Sequence, residues 1–101
     1  MLVVLTTLSS KKEAKKLVKA LLEKRLIVCA QRSKIKSTYL WQGQVCKEKE
    51  YLLSLKTLKE RFSELEKQIL VLHPYKVPQI IALEARFVSK AYFKWARKIC
   101  L

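Results

Sequence analysis

Residues Leu26 to Thr57 carry two long β-patterned runs folded about one tight turn, and no other feature restricts the architecture as much. Ile27-Val28-Cys29-Ala30 is a short apolar run. Ile35, Ser37, Tyr39 and Trp41 then alternate with Lys36, Thr38, Leu40 and Gln42, the period of two expected of a strand. Gln42-Gly43 supplies the turn, and Val45 to Thr57 returns as a second strand, charged near the turn and apolar beyond Tyr51. About sixteen residues from Leu26 to Trp41, at roughly 3.3 Å each, approach 50 Å. A chain of this size has a radius of gyration of only about 13 Å. The hairpin must therefore bend, bulge or project. A projecting hairpin bearing Tyr39, Leu40 and Trp41 exposes aromatic surface and open edges, which self-association covers. With the turn at Gln42-Gly43, opposite residues sum to 85. Cys46 then faces Tyr39 and Cys29 faces Lys56, which excludes a Cys29–Cys46 disulfide.

The flanking segments complete a pattern. Leu2 to Thr7 reads as a strand buried on both faces at the centre of a sheet. Ser10-Lys11-Lys12-Glu13 fits a capping box, and Ala14, Leu17, Val18, Leu21 and Leu22 form one apolar helical stripe with lysines opposite. Thr57-Leu58-Lys59-Glu60 repeats the box ahead of a helix through Phe62, Leu65, Ile69 and Leu72, which Pro74 ends. Ile80 to Leu83 reads as a short buried strand, extending toward Phe87. Ser89 caps a last helix whose Tyr92, Trp95, Ala96 and Ile99 share one side. The order β-α-β-β-α-β with a final helix predicts an α+β, ferredoxin-like sandwich of one domain over residues 1–101, with an extra C-terminal helix and a long hairpin.

Composition narrows the function classes. Twenty-two Lys and Arg against eight Asp and Glu give +14. The cations recur along several segments, so they read as a solvated basic surface that attracts nucleic acid only nonspecifically. The central strands lack the aromatic, Gly-rich pattern of an RNA-recognition module, with Tyr51 the sole candidate. The one imidazole has no evident carboxylate beside it in sequence, so no enzyme chemistry is expected. Three cysteines without zinc spacing read as free thiols in a reducing compartment. With no apolar run long enough to span a bilayer and no leader pattern, a cytoplasmic, non-membrane protein is expected.

Six stretches carry a resemblance over about residues 2 to 99: Val3-Val4-Leu5-Thr6-Thr7, Cys29-Ala30-Gln31, Ser37 to Gly43, Leu55-Lys56-Thr57, His73 to Pro78, and Tyr92 to Trp95. On these the chain resembles the CutA divalent-cation-tolerance family. The resemblance implies a homotrimer of ferredoxin-like subunits with a PII-like shape, packed through the long second and third strands. It implies clefts between subunits where copper, another divalent cation or a small ligand sits, none of them obligatory. Carried over by position, the metal candidates are Cys29 and His73. Tyr39, Trp41, Lys56, Thr57, Tyr75 and Trp95 are assigned to the intersubunit cleft or interface, with Thr57 equally explained as a helix cap. The chain departs from the family pattern at Gln31, where Asn is usual, and at Lys76 and Gln79, where acids are usual. A lysine 4 Å from a divalent ion opposes it by about 1 to 4 kcal/mol for each unit of the ion's charge, so a soft ion such as copper suffers least. The alternative is a structural or signalling trimer that binds a protein or small anionic effector.

Overall fold

A computed structural model describes residues 1–101. Its elements are β1 (Leu2–Leu8), α1 (Lys11–Glu23), β2 (Cys29–Trp41), β3 (Gln44–Thr57), a short 3-10 turn (Lys59–Arg61), α2 (Phe62–Leu72), β4 (Ile81–Glu84) and α3 (Lys90–Cys100). The sheet order is β2-β3-β1-β4, and every pairing is antiparallel. This is the ferredoxin-like α+β arrangement, with the third helix added.

The pleat decides which side chains reach the core. Leu2, Val4 and Leu8 of β1 and Leu53 and Leu55 of β3 point to one face, where Ala14, Leu17 and Leu21 of α1 and Leu65 and Ile69 of α2 close over them. The other face, bearing Val3, Leu5, Leu52 and Ser54, has neither α1 nor α2 on it. A second, smaller cluster of Val28, Leu58, Ala96 and Cys100 holds α3 across the end of the sheet.

The hairpin projects. β2 and β3 pair without a bulge from Cys29↔Lys56 to Trp41↔Gln44, and the molecule measures 45 × 26 × 22 Å. Tyr39 faces Cys46 as the turn position requires. Gln42 and Gly43 take φ values of 50° and 77°, the left-handed pair whose twist matches the flanking strands.

Local details differ from expectation in five places. Strand geometry begins at Cys29, because Leu26, Ile27 and Val28 plug the core as a buried connector instead. Thr57 is no helix cap: its fully buried hydroxyl donates to the Leu26 carbonyl at 2.7 Å, and α2 starts only after the 3-10 turn. β4 is exposed along its whole length and stops at Glu84, because it is an edge strand with no neighbour beyond it. Ser10 accepts from the Glu13 amide at 3.0 Å, but Glu13 Oε2 is buried without a partner, and Ser89 occupies its cap position with no side-chain bond. Pro74 acts as expected, leaving His73 extended at ψ 134° directly after α2.

Candidate functional site

Two polar clusters lie on the face left open by the helices. The first is built where the chain turns from α2 toward β4. His73 is buried at 7% exposure, and its Nε2 lies 2.8 Å from the Thr7 carbonyl. Its Nδ1 accepts from the Tyr75 amide at 3.1 Å. Those two bonds define one neutral tautomer, with the proton on Nε2. Burial holds the imidazole below its ordinary pKa, against the smaller opposing effects of the Thr7 carbonyl and of Glu13 and Glu50.

Two residues on, Tyr75 reaches the base of the hairpin and donates to Glu50 Oε2 at 2.6 Å. Glu50 is 5% exposed. Burial pushes this carboxyl up, but hydrogen bonds from Tyr75, Ser37 and Thr7 and the nearby His73 outweigh it, leaving it below the usual carboxylate range. Burial and the bond to Glu50 drive the Tyr75 phenol upward. Beyond Glu50 a groove of about 330 Å³ opens between the hairpin and the 75–77 segment, lined by Tyr39, Trp41, Cys46, Glu48, Tyr75, Lys76 and Val77. Within it the Glu48 carboxylate, hydrogen-bonded to Tyr39, pushes that phenol up to about 12.

The second cluster surrounds Cys29 at the other end of β2. Its Sγ lies 3.0 Å from the Tyr92 hydroxyl of α3, and Gln31 Nε2 approaches the sulfur at 3.7 Å. The bond to Cys29, followed by burial, pushes the Tyr92 phenol up to about 12. Lys56 Nζ donates to Gln31 Oε1 and, at 2.7 Å, to Ser54 Oγ. A cation therefore stands beside the thiol.

Residues 2–99 match the family described as CutA1 divalent ion tolerance protein. The chain belongs to the CutA1 divalent ion tolerance family. The divalent-cation tolerance protein CutA of Pyrococcus horikoshii is 40% identical over 95 residues, 94% of this chain and 93% of that protein. The CutA of Thermotoga maritima is 36% identical over the full length of both chains. The structure of the periplasmic divalent cation tolerance protein CutA from Archaeoglobus fulgidus superposes with a TM-score of 0.96 at 29% identity, covering 100% of each chain. No helix of this CutA1-family chain is long and apolar enough to cross a membrane.

Within one subunit the candidate residues fall into separate places. Tyr39, Trp41 and Tyr75 share the groove. Cys29 and Lys56 share the second cluster, while Trp95 is 45% exposed on α3 beside Tyr92. Thr57 lies fully buried on the opposite face of the sheet. Cys29 sits level with Val3 in the sheet, whereas His73 bonds Thr7, four residues farther along β1, or about 13 Å. No three His, Cys, Asp or Glu residues come together as a metal-holding group. Glu48, Glu50, Ser54 and Tyr92 were not singled out from sequence. Glu50 follows the alternation that places it on the same face as Tyr39, so register could have found it. Tyr92 reaches Cys29 only through the tertiary placement of α3.

Proposed function

We propose that this chain serves divalent-ion tolerance as a homotrimer of PII-like shape, in which the open sheet face and the hairpin groove become clefts between subunits. The observation that carries this reading is the uncovered face itself. Ile81 and Leu83, at 48% and 54% exposure, continue the apolar row of Leu5 and Val3 out to a bare sheet edge. A single subunit leaves that row and edge in water, and a second copy buries both.

Cys29 is the soft donor within these clefts. His73 has both ring nitrogens committed to backbone partners, so an ion at Cys29 draws its remaining ligands from a neighbouring subunit or from water. Lys56 disfavours a hard divalent ion there and leaves a thiolate-bound soft ion, copper above all, as the fitting cargo. Calorimetric titration with Cu(I) under reducing conditions, and with Cu(II), tests this. Loss of binding in Cys29→Ser, with retention in His73→Ala if that variant stays folded, fits the assignment. Undiminished copper binding in Cys29→Ser contradicts it.

A second reading rests on Lys56. Its ammonium, with Tyr92, Gln31 and Ser54, makes an equally plain receptor for a small anionic effector. Binding of a carboxylate or phosphate ligand that Lys56→Met abolishes, without any copper affinity, favours that reading.

A further inference from the structure

The hairpin sorts its charges by face. Both of its acids, Glu48 and Glu50, point to the open side with Tyr39 and Cys46. Five cations point to the other: Arg32, Lys34 and Lys36 on β2, Lys47 and Lys49 on β3. All five are exposed. Lys36 stands directly opposite Lys49, an arrangement that is unfavourable unless an anion lies between or over the pair. The ion pairs of the chain are Lys19–Glu23, Lys59–Glu84 and Arg97–Glu60, so none neutralises this ladder. At its base, Arg32 lines a hollow with Lys15 and Lys19 of α1; Lys19 is paired with Glu23, so Lys15 is the cation that extends the positive track onto the helix.

We propose that this face of the hairpin docks the phosphate backbone of a nucleic-acid duplex, without reading its sequence. A two-stranded ribbon fits a groove about 12 Å wide. The lysine face carries a linear array of cations, which suits a row of phosphates. Tyr39 and Trp41 lie on the opposite face, and Tyr51, which stands opposite Lys34 on this one, packs against the core, so the ladder offers no free stacking platform for single strands. An anionic membrane fits less well. Leu40 and Val45 at the tip, 73% and 65% exposed, would be the inserting residues. Of the five cations only Lys47, two residues from Val45 and about 7 Å back, then lies within the roughly 8 to 10 Å over which charge is felt at physiological salt; Lys36 and Lys49 stand about 13 Å back and Lys34 about 20 Å.

The test uses the full chain with a mixed-sequence DNA duplex of about 20 base pairs, the matching single strand, and phosphatidylserine vesicles. Five phosphate contacts predict that log K falls with log salt at a slope of about −4 to −5. In the Lys36→Gln/Lys49→Gln variant the slope should shrink by about 2 and duplex affinity should fall. Removing two lysines that face each other relieves repulsion, so that variant is expected to stay folded. The charge-matched control Lys94→Gln/Lys98→Gln, on α3, should bind as the parent does. An equal loss in both variants would assign binding to net charge and overturn the proposal. So would absence of duplex binding, preference for the single strand, or vesicle binding in its place.

Discussion

The Tyr75 hydroxyl donates a 2.6 Å hydrogen bond to Glu50 Oε2, tying the segment after α2 to the base of the projecting hairpin. Tyr75→Phe removes that donor and leaves a buried carboxylate short of a partner. We expect a loss of about 1 to 3 kcal/mol in stability by urea unfolding. Glu50 has a folded pKa below its unfolded one, so its contribution is present above the unfolded value and lost as pH falls through the folded value. Acid unfolding of Tyr75→Phe should therefore begin at higher pH than in the parent.

His73 produces a separate pH dependence. Its folded pKa lies below the ordinary 6.5, so the unfolded chain takes up the proton first. Stability is highest above about 6.5 and declines as pH falls toward the folded value. Nδ1 already accepts from the Tyr75 amide, so a proton there would break that bond. Unfolding free energies measured from pH 7.5 to 5 should show this decline. His73→Gln should lower stability throughout and flatten that slope.

Thr57 separates two accounts of one residue. As a donor to the Leu26 carbonyl it is replaced poorly by Val, which leaves a buried acceptor unsatisfied at a cost of about 1 to 3 kcal/mol. Thr57→Ser keeps the bond and should lose much less. A helix-capping role would instead show itself as fraying of α2 in hydrogen exchange, which neither variant should produce.

The turn offers a backbone test free of packing effects. A Cβ on Gly43 meets no atom within 4 Å, yet φ is +77°. Gly43→Ala should cost about 1 kcal/mol, whereas Gln42→Asn, better suited to its φ of 50°, should be neutral or slightly stabilising.

The same residues show what a sequence can and cannot disclose. Hairpin register was legible because one left-handed turn at Gln42-Gly43 fixes every later pair, down to Cys29↔Lys56. The two helices were legible from their apolar periodicity. Thr57 was not, because a capping pattern and a buried hydroxyl share the same letters, and only the fold of Leu26 to Val28 decides between them. Ile81 and Leu83 read as buried because they are apolar, but composition does not reveal which strand lies at an edge. His73 was visible as the only imidazole. Its engagement by Thr7 and Tyr75 depends on how the 73–80 segment rounds the end of β1, which local sequence does not encode.

Native mass spectrometry at micromolar concentration tests the central claim, that the open face and bare edge are completed by further copies of this chain. A dominant species at three times the 11.9 kDa chain mass is predicted. Ile81→Lys/Leu83→Lys should shift it toward the single chain. A parent protein that runs as an 11.9 kDa monomer would contradict the account.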